Sequence, residues 1–138
     1  MKMIFLLLCM INFSANAYEC TSAKYDKAES AIDNLNTWAD LSGFYNKFKE
    51  CDEGSVSEGL SEIITSLLAN HWNELPEFEV ESKKNLGFEY WSLNHIDKTV
   101  NDEDLNKIIV NVKELCPKGM AGICFKLGEK TRKVLNED

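Results

Sequence analysis

Between residues 55 and 97 the apolar positions recur at intervals of three and four. On a helix over 55–72, Val56, Leu60, Ile63, Ile64, Leu67, Leu68, His71 and Trp72 fall on one side, and Glu58, Ser61, Glu62, Thr65 and Asn70 on the other. The run Ser55-Val56-Ser57-Glu58 has the form of a capping box, in which the serine accepts from the amide of residue 58. Pro76 sets the downstream limit, because the residue before a proline is pushed out of the helical region. After it, Phe78 and Val80 are expected over the core, with Glu77, Glu79 and Glu81 facing water. Residues 82–87 read as a loop or helix break. A further helix over roughly 86–96 places Phe88, Trp91, Ser92, His95 and Ile96 on one face.

Upstream, Tyr25, Ala28, Ala31, Ile32, Leu35, Trp38, Leu41, Phe44, Tyr45 and Phe48 keep helical spacing, as one long helix or as two broken near Asp33-Asn34 or at Gly43. Downstream, Asn101 is placed to cap a helix whose first turn holds Asp102, Glu103 and Asp104. The stripe of that helix is Leu105, Ile108, Ile109, Val112 and Leu115, ended by Cys116-Pro117. Met120, Ile123, Cys124 and Leu127 suggest a short closing helix. No stretch alternates with period two for long enough to make a strand. The expected fold is therefore all-α: a small disulfide-stapled bundle of four to six helices that buries the tryptophans and most of the phenylalanines.

The first 17 residues change where this bundle is expected to work. Lys2, the apolar run at 4–11 and Ala15-Asn16-Ala17 make a secretory signal, predicting cleavage after Ala17 and a single mature domain over 18–138. No later stretch approaches the apolar length of a membrane span. Removal of Lys2 leaves 14 basic against 23 acidic side chains, about −9 net. A surface this acidic repels phosphate backbones and anionic lipid, which argues against a nucleic-acid partner and favours a basic one.

Cys9 leaves with the signal, and Cys20, Cys51, Cys116 and Cys124 form an even set in an exported chain. Three pairings are open. The non-crossing one, Cys20–Cys51 with Cys116–Cys124, is preferred because each bond then closes a local helical unit. Spacings without short C-x-x-C knuckles do not suit a four-cysteine zinc site.

Candidate chemistry is sparse. No hydrolase, metalloprotease, phosphate-loop or dinucleotide motif occurs, the connector from Asp97 fails as a calcium loop at its sixth and twelfth positions, and no cofactor is expected. Glu58 and Glu62 stand one turn apart on a polar face, the usual place of solvated glutamates. His71 and His95 with Asp97 make a possible metal-binding set, the basis of an alternative reading as a metal-dependent enzyme. Trp38, Trp72 and Trp91, with Tyr90 and Phe88, would line a pocket between helices in a second alternative, a carrier of a small apolar ligand. The leading expectation is a periplasmic or secreted non-enzymatic protein that binds a basic protein partner. Its candidate contacts are Glu74, Glu77, Phe78, Glu79 and Glu81, with His71, His95 and Asp97 as secondary candidates. The profile of export signal, acidity, disulfides and helices is similar to that of small periplasmic immunity proteins, a likeness of class that assigns no residue a role.

Overall fold

In the computed structural model, which describes residues 19–137, seven helices follow one another with no strand between them. They are α1 (Ser22–Ile32), α2 (Trp38–Phe48), α3 (Gly54–Asn70), α4 (Leu75–Lys84), α5 (Phe88–Asn94), α6 (Asp102–Glu114) and α7 (Ala121–Asn136). Single 3-10 turns at Lys49–Cys51 and Trp72–Glu74 lead into α3 and α4. The proposed signal and its cleavage point lie outside the described residues. No described helix is long and apolar enough to cross a membrane.

Local chemistry explains most boundaries. The 21–48 segment divides at Thr37, whose hydroxyl accepts from Asp40 N–H while Asp40 reaches back to Thr37 N–H at 3.0 Å. The pair makes a capping box. The one expected at Ser55 does not form, because α3 starts at Gly54 and leaves Ser55 inside the first turn. There the Ser55 hydroxyl meets Tyr25 and Glu29 of α1 instead. Asn101 caps α6 as its position suggests, accepting from Asp104 N–H at 2.8 Å. Such caps are each worth about 1 kcal/mol.

The seventh helix comes from residues 75–84, to most of which the sequence pattern assigned no element and whose last residues it read as a loop or helix break. Pro76 sits in the first turn, where its missing N–H costs nothing. On a helix Leu75, Phe78 and Glu81 share the inner face, so Val80 is turned outward, 49% exposed, and Glu81 inward. The expected Phe78/Val80 pairing with Glu81 in water is thereby corrected. Phe78 packs its ring 4.5 Å from Trp38 and 5.9 Å from Phe88. The next turn depends on Gly87, whose φ of 88° suits glycine and whose missing Cβ leaves room for the Tyr45 hydroxyl.

One continuous core joins Ala28 of α1, Trp38 and Leu41 of α2, Leu60 and Ile64 of α3, Phe78, Phe88, Ile108 of α6 and Leu127 of α7. Trp72 is also buried, Trp91 half-buried, and Phe125 exposed. Leu115, expected in the α6 stripe, is exposed because the helix ends at Glu114, before Cys116-Pro117. Helices α3 and α6 finish each other's C-terminal ends. Asn111 Nδ2 donates to Leu68 O and Ala69 O at 3.0 and 3.1 Å, and Trp72 Nε1 donates to Leu115 O at 2.8 Å.

The disulfides are Cys20–Cys51 and Cys116–Cys124, the pairing preferred from spacing. The first ties the start of α1 to the turn before α3, and the second anchors α7 to the end of α6. Chain-entropy estimates give about 3–4 kcal/mol for the first loop and about 2.5 kcal/mol for the second. Two such bonds point to an oxidising compartment.

Candidate functional site

The site is built around α3, whose two long sides carry unlike chemistry. Ser61 and Thr65, which the helical pattern puts on the solvent side, are only 1% exposed. Ser61 is covered by the connector between α5 and α6 through Asp97, which makes part of the polar face of α3 an interior one. Thr65 bonds back to Ser61 O at 2.7 Å. The Ser61 hydroxyl itself is directed off the helix, to Asp97 and His95.

That hydroxyl sits in a chain of four side chains drawn from four parts of the fold. Asp97 of the connector accepts from Ser61 Oγ at 2.9 Å, and His95 Nδ1 lies 2.9 Å from the same oxygen. His95 Nε2 is 3.0 Å from Asp52 Oδ2, in the turn next to the Cys20–Cys51 bond. Trp91 Nε1 donates to that same Asp52 oxygen at 2.7 Å, and its ring meets His95 edge-on. Asp97 turns its other oxygen to the Thr99 N–H and hydroxyl, which fixes the connector's bend. Burial pushes the Asp52 carboxyl up, but the hydrogen bond and charge of His95, with smaller help from Ser57 and Trp91, hold it below the ordinary aspartate range.

Asp52, His95 and Ser61 are in the order of a hydrolytic triad, yet they do not make one. Ser61 and His95 are buried, at 1% and 4% exposure, and the serine proton is directed to Asp97. No substrate atom has access to Oγ.

Next to this chain, on the outer side, the connector and α3 enclose an open groove of about 650 Å³. Glu58, Gly59, Glu62 and Thr65 form one wall, Thr99, Val100 and Asn101 the other, with Ser55 at one end. No lysine or arginine lines it. Gly59 lets Ile32 of α1 press against α3 from behind, since a Cβ there would meet the isoleucine at 2.8 Å.

The residues singled out from the sequence are dispersed. His71 is exposed and lies 3.7 Å from Glu74, whereas both nitrogens of His95 are engaged in the interior. Among the described residues no three histidine, cysteine or carboxylate side chains converge as a metal would require. Phe78 is core, 1% exposed. Glu79 pairs with Lys83 at 3.1 Å and Glu81 with Lys84 at 3.0 Å. The Lys84 bond, with one from Ser42, holds the Glu81 carboxyl below its usual range. Of the Glu74–Glu81 strip only Glu77 keeps a carboxylate with no ion pair or buried oxygen among the described residues. Trp38 and Trp72 are packed in the core and Trp91 is held by Asp52; none lines the groove.

Asp52 and Ser61 were missed from the sequence. Asp52 meets His95 across 43 residues and Ser61 meets it across 34, and nothing local announces either contact. Together the fold and site define an all-α, disulfide-stapled protein with an acidic groove beside a buried carboxylate–imidazole–hydroxyl chain. The chain matches no family model, and no curated protein or solved structure is similar enough to count as a relative.

Proposed function

We infer that this is an exported, non-enzymatic binding protein of the inhibitor or immunity type, and that its partner is a basic protein docking on the α3–connector groove. The observation that carries the reading is the groove itself, walled by Glu58 and Glu62 and lined by no cation. Neither glutamate has an ion-pair partner among the described residues, whereas Glu79 and Glu81 are already matched by lysines of their own helix. Unmatched carboxylates attract a cationic partner from a distance and fix its register on contact. The predicted signal, the acidic balance and the two disulfides fit a site of action outside the cytoplasm.

The test is capture of partners from the periplasm and medium on the oxidised mature chain, followed by association kinetics on the captured protein. A basic protein that binds at low salt is expected, with a rate that falls at least about tenfold in the E58K/E62K double variant. The E77K/E79K variant should stay within about twofold of the parent. An empty capture at low salt, or binding indifferent to E58K/E62K, overturns the reading.

A further inference from the structure

Counting hydrogens around His95 determines its charge. A carboxylate at Asp97 accepts at both oxygens, from Ser61 at Oδ2 and from Thr99 at Oδ1, and Ser61 then spends its only proton on it. The Ser61 oxygen can then only accept from His95 Nδ1, which must carry a hydrogen. Nε2 faces the Asp52 oxygen that already accepts the Trp91 N–H, so it carries a hydrogen as well. With Asp52 and Asp97 as carboxylates, the arrangement calls for a hydrogen on each ring nitrogen of His95.

We propose that His95 is a pH-sensitive clamp on the groove: as a cation it ties the Asp52 turn, α3 and the 97–101 connector together, and loss of one proton to solvent releases the connector. Nε2 keeps its hydrogen against the Asp52 carboxylate, so Nδ1 is the atom that gives its proton up. The single Ser61 proton must then serve either Nδ1 or Asp97, so in either case the 95–97 segment that starts the connector loses one of its two ties to α3. Burial of Ser61 and His95 keeps water from replacing the lost bond. The connector is the Thr99–Asn101 wall of the groove, so the groove's shape follows the protonation of a residue behind it.

The titratable groups facing His95 are Asp52 directly and Asp97 through Ser61. From α3 come the neutral Ser61 and Ser57, from α5 Trp91, and from α2 Tyr45, which packs on Trp91 and gives its hydroxyl proton to Leu86 O. No lysine or arginine pairs with Asp52 or Asp97 among the described residues, so His95 is the cation between two carboxylates. The clamp does not depend on what the groove binds.

The test is a nitrogen-15 NMR titration of the two imidazoles from about pH 5 to about pH 9, with His71→Asn giving the assignment. Amide exchange of residues 97–101 is followed in parallel, corrected for its intrinsic pH dependence. The expected result is a doubly protonated His95 at low pH, and connector exchange that rises roughly three- to tenfold as it titrates, the ratio one hydrogen bond supplies. In Ser61→Ala the connector should exchange fast at every pH. A His95 that is neutral throughout, one that stays in a single state over the whole span, or connector exchange that ignores its titration overturns the proposal. The parent titration needs no variant, so poor folding of Ser61→Ala would not shield it.

Discussion

Replacing Phe78 by alanine separates a core role from a contact role at a residue the sequence offers as either. The ring is 1% exposed, and it packs against Trp38 at 4.5 Å and Phe88 at 5.9 Å between centroids. Removing a buried phenyl loses its transfer free energy and leaves a cavity, a combined cost of about 3–5 kcal/mol. The tilted aromatic pairs, at about 0.5–1.5 kcal/mol each, argue for the upper part of that range. Urea unfolding of the oxidised protein should show the midpoint falling by that amount at unchanged slope, since the unfolded surface is nearly the same. Tm should drop by about 10–20 °C at roughly 4 °C per kcal/mol. Val80→Ala on the outer side of the same helix should stay within about 0.5 kcal/mol. A Phe78→Ala loss below about 1 kcal/mol would refute the packing argument and return Phe78 to the list of contact residues.

Three further outcomes follow from single features. The Asp52 carboxyl is depressed by its partners, so its contribution to stability is complete above the ordinary aspartate range and is lost as pH falls through the folded value. Urea midpoints taken from neutral pH into acid should therefore fall less steeply for Asp52→Asn than for the parent; parallel curves would contradict the assignment. Removing Cys20–Cys51 as an alanine pair should cost more than removing Cys116–Cys124, by about 1 kcal/mol, because its loop is 31 residues against 8. Equal losses would point to native-state contacts outweighing chain entropy. Gly87→Ala must hold a left-handed residue and push its Cβ against the Tyr45 hydroxyl, 2.5 Å away, so a loss of about 1–3 kcal/mol is expected by thermal unfolding.

What was legible in the chain was periodic or local. The buried stripe of α3 without His71, which is exposed at the helix end, and with Ile63 half-buried, the Asn101 cap and the disulfide pairing depend on neighbours three or four residues away or on simple loop closure, and these appear in the structure. Residues 75–84 misled because Phe78 and Val80 alternate with glutamates, a period-two signal, while the helical set Leu75, Phe78, Glu81 contains a charged member. That glutamate is tolerated inside because Lys84 and Ser42 reach its carboxylate. Ser61 and Thr65 misled for the opposite reason: they are polar residues on a helix whose solvent side is covered by a distant segment. The buried chain through His95 was illegible because its links span 34 to 43 residues. Glu58 and Glu62 were visible but looked like any solvated pair, and only the opposing Thr99–Asn101 wall makes a groove of them.

The central claim, that a cationic partner docks between α3 and the connector, is met most directly by zero-length carboxyl-to-amine cross-linking of the captured complex, read by peptide mass spectrometry. Adducts from partner lysines to Glu58 and Glu62 are predicted, and they should disappear when high salt separates the complex before coupling. Adducts confined to Glu74, Glu77 and Glu79, with Glu58 and Glu62 unmodified, would contradict the claim and move the interface to α4.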